Sequence, residues 1–370
     1  MKISAKVECA IPTSFRVNQI RGMFDLAPAS RASETFEAEL PDAEEQWQLG
    51  LIVGPSGSGK STIAQATYGD LFKRAEVWSE TDAIIDGFNP SVDTKEIVFA
   101  LSSVGLSSPP HWVRPYWSLS MGEKFRCDLA RALCSNDQLI VFDEFTSLVN
   151  RTVARCGTIA LSKAIRTHRI KKQFIAVTCH YDVLEWMQPD WVLDMANKAL
   201  TRRGLQPRDE LSVKVTRVHH STWELFRRFH YLSGTISKSA YCFLASIDDS
   251  PAAFSSVISF PHSRAPGWRG HRLVVMPDFQ GIGLGNKLEE FVASLFSATG
   301  KPFYSTSSHP GIVHYRMRSP LWSVTRKMSR ADIQSRVDYA RSQSFRRETA
   351  SFRFCGKPRS DEARDLQVIS

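Results

Sequence analysis

Leu51-Ile-Val-Gly-Pro-Ser-Gly-Ser-Gly-Lys-Ser-Thr62 is the stretch from which the fold can be read. Leu51 to Val53 reads as a buried strand, and Gly54 to Thr62 matches G-x-x-x-x-G-K-[ST] where a strand passes into a helix. The glycines let backbone N–H groups curl around phosphate oxygens, and the helix N-terminus adds the positive end of its dipole. Lys60 is placed to neutralise the outer phosphates of a nucleotide such as ATP, and the Ser61 hydroxyl to hold Mg2+. Gly54, Ser56, Gly57, Gly59, Lys60, Ser61 and Thr62 are therefore the candidate nucleotide contacts.

Further along, Leu139-Ile-Val-Phe-Asp-Glu144 is an apolar strand that ends in two carboxylates. In a nucleotide site Asp143 serves the Mg2+ shell and Glu144 polarises the attacking water. Such a pair says little alone; beside the Gly54–Thr62 loop it gains a partner in chemistry. Between the two lies Ser118-Leu-Ser-Met-Gly-Glu-Lys-Phe-Arg-Cys-Asp-Leu-Ala-Arg-Ala-Leu133, which reads as the start of a helix.

With these residues in hand, the stretch from about 48 to 200 resembles the ABC-type ATPases. Leu119-Ser-Met-Gly-Glu123 is similar to their LSGGQ signature, and its distances agree: 60 residues from Lys60 to Ser120 and 23 from Ser120 to Asp143. Ala176-Val-Thr-Cys-His180 resembles the strand carrying the switch histidine, and Ser147-Leu-Val-Asn150 stands where the D-loop belongs. The resemblance implies that Ser120, Gly122 and Glu123 meet nucleotide, that His180 contacts the γ-phosphate, and that ATP holds two copies together as a head-to-tail homodimer. Two departures stand out. Met121 replaces the first signature glycine, and no glutamine occurs between Gln65 and Gln138, so the Q-loop residue is missing. His111, Trp112 and Arg114 occupy that stretch without an assigned role. Phe15 and Phe24 read as core residues, with adenine stacking as the alternative.

The chain has 370 residues, too many for one core of ordinary size, and its 42% hydrophobic and 23% charged composition excludes wholesale disorder. No apolar run approaches the roughly 20 residues that span a bilayer, and the first residues lack a signal-peptide h-region. Seven cysteines without a CxxC pair fit reduced thiols, so a cytoplasmic protein is expected. The net charge of +9 is uneven: residues 201–370 carry 26 Lys/Arg against 14 Asp/Glu, while residues 1–200 are net acidic. A basic half is a candidate for nucleic acid or an anionic cofactor, or simply a solvated cationic surface. The organisation read from the sequence is strands extending the ATPase over 1–46, an ATPase domain over 47–200, a linker at 201–210, a second α/β domain over 211–356 and a frayed tail over 357–370. Strand-like runs fall at 241–247, 254–260 and 271–276.

In the second half, His271-Arg-Leu-Val-Val-Met276 leads into Pro277-Asp-Phe-Gln-Gly-Ile-Gly-Leu-Gly285 and an amphipathic helix from Asn286 to Phe296. A glycine-rich turn at a helix N-terminus again offers backbone donors to an anion. A plain tight turn and a Rossmann-type dinucleotide loop are the competing readings. The whole string looks like the acyl-CoA motif of GNAT-type acyltransferases, [QR]-x-x-G-x-[GA]. That resemblance implies Gln280, Gly281, Gly283 and Gly285 around the pyrophosphate of acetyl-CoA or another acyl-CoA, with Met276 beside the pantetheine.

Residues 221–233 read as an amphipathic helix with Trp223, Phe226 and Phe229 on its core face, and Arg227 and Arg228 toward solvent or phosphate. His230 and Tyr231 end it and are candidates for proton transfer, or for a satisfied polar terminus. This stretch resembles, more loosely, the His-Tyr-Ser segment of Mom-type phage DNA-modification proteins. Tyr315 is the nearest candidate for the tyrosine that protonates the leaving thiolate in GNAT enzymes. Arg316, Arg318, Arg326, Lys327 and Arg330, with Trp322 among them, read either as a phosphate-gripping, base-stacking run or as a solvated face.

The expected fold is thus α/β, a P-loop NTPase of ABC type followed by a smaller GNAT-like domain. The expected function is ATP hydrolysis joined to acyl, here acetyl, transfer onto an amine of a nucleic acid or of something bound to it. The alternatives are a nucleic-acid-binding, SMC-like ATPase whose second domain is a binding module without chemistry, and a Mom-type base-modifying protein.

Overall fold

Strands β1 (Lys2–Ala10) and β2 (Arg31–Glu39) pair antiparallel in a register running from Lys2↔Glu39 to Ala10↔Arg31, with a helix at Phe15–Phe24 between them. Next come β3 (Leu49–Val53), β4 (Phe72–Lys73), β5 (Leu139–Phe142), β6 (Gln173–Thr178), β7 (Trp191–Asp194) and β8 (Ala199–Arg202), which form one sheet in the order β4-β5-β6-β3-β7-β8. Every pair is parallel except β7–β8. All five residues of β3 are buried, as expected of a strand with neighbours on both sides and helices over its faces. Gly50 is required there, because a Cβ at that position would overlap the Trp191 indole. The computed structural model describes residues 1–26, 30–42, 45–73, 77–202, 211–230, 234–261, 266–329 and 348–369. Residues 203–210, most of the expected linker, lie outside them.

Two compact units emerge, Met1–Ser79 with Asp128–Arg208, and Glu80–Cys127 with Asp209–Ser370. The first holds the parallel sheet. Its core joins Ile52, Ile63, Val141, Ile175, Val177, Trp191 and Leu193 with Ala5, Ala38 and Leu40. Helix Arg151–Arg166 is capped by Asn150, whose Oδ1 accepts from Val153 N–H at 2.9 Å, and buries one long face.

The second unit is built on a seven-stranded sheet. Its strands are β9 (Lys214–Val218), β10 (Tyr241–Ile247), β11 (Ser250–Phe260), β12 (Gly267–Val275), β13 (Phe303–Ser307), β14 (Trp322–Ser329) and β15 (Thr349–Phe354), in the order β14-β15-β13-β12-β11-β10-β9. The pairing is antiparallel except for β12–β13, which touch in parallel only at Trp268↔Phe303 and Arg269↔Tyr304 and then part. Helix Leu284–Ser297 makes the crossover between those two strands, as a parallel pair demands. Phe296 packs against Tyr241, Phe243, Trp268 and Phe303. A sheet this antiparallel excludes the Rossmann alternative.

Three expectations need correction. The stretch expected to belong wholly to the ATPase domain, 80–127, groups with the C-terminal half, because its buried Arg126 and its loop at 105–107 bond to residues 277–280 and 309. The tail is not frayed: Ser360–Asp365 is helical, Ala363 is buried, and Arg359 N–H donates to Ser294 O at 3.2 Å. Residues 221–230 form only short turns around Trp223–Phe226, since the core takes Trp223 and Phe226 and the Trp223 indole N–H is fixed on Gly234 O at 2.8 Å.

Candidate functional site

The Gly54–Thr62 loop leaves the end of β3 and enters helix Lys60–Tyr68. Gly57 and Gly59 take φ of 80° and 83°, in the left-handed region that favours glycine, and Gly59 also lies against the Phe36 ring, which a Cβ would overlap. Lys60 Nζ donates to Pro55 O at 2.7 Å, bent back over its own loop. Ser61 Oγ donates to Asp143 Oδ1 at 2.8 Å. This last bond joins residues 82 positions apart at the carboxyl ends of parallel strands, the end of such a sheet where ligands bind. A hydroxyl and a carboxylate side by side are hard oxygen donors suited to Mg2+, so the residues fit a nucleotide–metal group.

Glu144 follows in an exposed position with φ of 52°, rare for a residue with a side chain, and Phe145 N–H donates to Val177 O at 2.9 Å behind it. That bond locks the turn between β5 and the end of β6. His180 sits just past β6, its N–H donating to Thr178 Oγ1 at 3.2 Å. Gly54, Ser56, Thr62, Asp143, Glu144 and His180 therefore all fall at loop ends of one sheet. Phe15 and Phe24, expected in the core, are exposed: the helix that carries them buries none of its residues. The aromatic that does meet the loop is Phe36, which its inward position on β2 could have suggested.

Ser120, Gly122 and Glu123 belong to the other compact unit. Ser120 and Glu123 form a capping box at the head of helix Met121–Leu133: Glu123 Oε2 accepts from Ser120 N–H and Oγ–H, both at 2.9 Å. Glu123 also faces His111 Nδ1 at 3.5 Å; burial lowers the His111 pKa, partly countered by that carboxylate.

In the second cradle, Gly281 and Gly283 have φ of 91° and 93°, and Gly283 caps helix Leu284–Ser297, whose first N–H groups have no acceptor within the helix. Gly285 packs closely on Val275, at 3.1 Å from its would-be Cβ. Met276 N–H is bonded to Ala252 O at 2.8 Å. The Gln280 side chain is spoken for: Oε1 accepts from Ser107 N–H at 3.1 Å and Nε2 donates to Val275 O at 3.0 Å. An anion at this turn meets glycine backbone rather than the Gln280 amide.

On helix Pro310–Arg318, Tyr315 OH donates to Glu290 Oε1 at 2.8 Å; burial and then that carboxylate push the phenol up to about 12. It therefore keeps its proton across the neutral range. His230 packs edge-on to Trp223, and Tyr231 lies outside the described residues. Sequence reasoning missed His271. It is the extra residue of a bulge in β12, opposite the Ser256/Val257 step, its Nε2 faces Ser237 N–H at 3.4 Å, and burial followed by Arg272 and Arg269 lowers it to about 4.

The expected phosphate-gripping run is overturned in part. Arg316 is 1% exposed, bonded to Ser305 Oγ at 2.8 Å and to Glu289, and its guanidinium lies 4.5 Å above Trp322, itself buried. A guanidinium buried and paired inside the core is out of reach of a backbone phosphate. Arg326 and Lys327 are exposed on β14 at the sheet edge, while Arg330 lies outside the described residues.

Comparison with family models and with curated proteins gives no match. Among solved structures, the chain is similar to the dimeric ATP-binding cassette MJ0796 in a post-hydrolysis state bound to ADP and Pi, at 16% identity over 46% of this chain and 94% of that one, TM-score 0.36. A second dimeric structure of MJ0796, a bacterial ABC transporter cassette, gives 16% identity, 44% and 87% coverage and 0.34. CbiO1 from Clostridium perfringens, part of an ABC transporter complex, gives 17%, 40% and 72%, and 0.34. Among the described residues no helix is long and apolar enough to cross a membrane, and no group of three or more His, Cys, Asp or Glu is gathered to hold a metal.

Proposed function

We propose that this chain is an ATP hydrolase of the ABC type joined to an acyl-CoA-dependent transferase, acting in the cytoplasm. The observation that carries the first half is the Ser61–Asp143 bond at 2.8 Å between a helix N-terminus in a glycine loop and the end of β5. When bound, ATP-Mg2+ supplies the phosphate anhydride that is cleaved. The loop N–H groups and Lys60 hold phosphate oxygens, Ser61 and Asp143 hold the metal, and Glu144 takes a proton from the attacking water. In the ATP-dependent homodimer, Ser120 and Gly122 of one copy complete the nucleotide site of the other.

For the second half, support comes from the parting of β12 and β13 above a helix headed by Gly281 and Gly283. The N–H groups there suit the pyrophosphate of an acyl-CoA, and a thioester carrier supplies the acyl group. Tyr315, proton in place, is the donor for the leaving thiolate. With an excess of basic residues after position 200, an amine on or near a nucleic acid is the favoured acceptor. Incubating the chain with ATP-Mg2+, acetyl-CoA and separate DNA, tRNA and protein fractions tests this by intact mass. A gain in one fraction is the expected outcome, and no gain in any overturns acyl transfer.

A second reading is favoured by the Gln280 side chain being held internally: a nucleic-acid-binding ATPase whose second half is a module without chemistry. It predicts salt-sensitive nucleic-acid binding through exposed residues such as Arg326 and Lys327 and no mass gain anywhere.

A further inference from the structure

One side chain ties the signature helix to the second cradle. Arg126, 2% exposed, stands six residues after Ser120 on helix Met121–Leu133. Its Nη1 donates to Gly105 O at 2.9 Å and to Pro277 O, and its Nη2 donates to Asp278 O at 3.0 Å. The planar fork of a guanidinium suits such divergent carbonyls, which the point charge of a lysine could not reach together. Two more bonds extend the joint. Ser107 N–H donates to Gln280 Oε1 at 3.1 Å, and His309 Nε2 meets Ser107 O at 2.9 Å. Backbone approach is tight as well: Gly105, at φ of 92°, would place a Cβ 2.6 Å from Gln280 O.

We infer that Arg126 is a positioning residue through which the nucleotide state of the ATPase site reaches the Gln280–Gly285 turn. This rests on reading Gly54–Thr62 as an ATP loop; it does not require that the turn binds an acyl-CoA. Helix Met121–Leu133 is continuous from Ser120 through Arg126, and β5 follows it and ends at Asp143. A displacement of the helix head therefore moves the 277–280 turn with it or breaks several buried hydrogen bonds, each costly to leave unmade. Linkage is reciprocal, so a ligand at the turn also alters ATP affinity.

Hydrogen–deuterium exchange on the full chain tests this, using Glu144→Gln to trap ATP-Mg2+ and following the peptides at 54–62 and 277–285. With ATP, protection at 54–62 and a change in exchange of about fivefold or more at 277–285 are expected. Adding Arg126→Gln is expected to abolish the response at 277–285 while leaving that at 54–62, and Arg126→Lys to restore part of it. His309→Asn, a milder change at the same joint, is expected to weaken it and serves if the Arg126 variants fold poorly. Protection at 54–62 with no response at 277–285, or an undiminished response in both the Arg126 and His309 variants, overturns the inference. Failure of 54–62 to respond removes the ATP reading and this inference together. A normal response without any coenzyme A binding removes only the acyl-carrier reading.

Discussion

Two glycine-rich turns, each at the head of a helix, look alike on the page and differ in what their polar neighbours do. Around Gly54–Thr62, Ser61 donates to Asp143 where the proposed reading places a metal ion, and Lys60 bends back on a carbonyl of its own loop. Around Gln280–Gly285, the one long polar side chain is engaged by Ser107 and Val275. In the proposed reading, the first turn exchanges these short-range bonds of Lys60 and Ser61 for bonds to a ligand. The second has lent its side chain to the protein and keeps glycine backbone for any anion. Two such turns are thus told apart by what their side chains bond to once the chain has folded, as well as by their glycines.

Turnover is where the two should differ most. Glu144→Gln is expected to lower ATP hydrolysis by about 10²-fold or more while ATP still binds, measured by phosphate release and by filter binding. Retained hydrolysis would remove Glu144 from the chemistry. Stability sharpens the contrast next. Arg316→Met leaves Glu289 buried without its partner and should cost about 3–5 kcal/mol, whereas the exposed Arg326→Gln should stay within about 0.5 kcal/mol and instead weaken nucleic-acid binding. Denaturant melts and salt-dependent binding curves read these two out. Gln280→Ala should cost about 1–2 kcal/mol, the scale of lost internal bonds, yet change coenzyme A affinity by less than about threefold. A large affinity loss with unchanged stability would show that the amide serves the ligand after all.

The smallest effect concerns pH. His271 titrates near 4 in the folded chain against its usual 6.5, so the unfolded chain binds the extra proton first. Stability should then fall as pH drops from about 6.5 toward 4, and His271→Gln should flatten that limb of a melting-temperature profile. Tyr315 has the opposite sign: its raised pKa gives stability that is present below about 10 and lost as pH rises through about 12.

Legibility followed the range of the contacts. The parallel strands were readable at β3, β5 and β6 because buried strands are continuous apolar runs; Asp143 was readable because it ends such a strand, and Ser61 because it follows the glycine loop that leaves one. Arg316 and Trp322 were misread because a basic stretch with an aromatic looks the same whether it lies on a surface or folds inward onto Glu289. The tail looked unstructured because a six-residue helix held by Ala363, by a backbone bond to Ser294 and by Arg217 on the Gln367 carbonyl leaves almost no pattern. His271 carried no signal, since a bulge is a matter of register between two strands.

What the sequence by itself determined is the glycine-rich loop of the proposed ATP site: strand, glycine turn, lysine and hydroxyl lie within a dozen consecutive residues, and local backbone geometry suffices to build them. What only the tertiary structure decided is the assignment of 80–127 to the C-terminal unit and the joint at Arg126. That joint links residues more than 150 positions apart, and its acceptors are backbone carbonyls, which every residue carries and no sequence pattern marks.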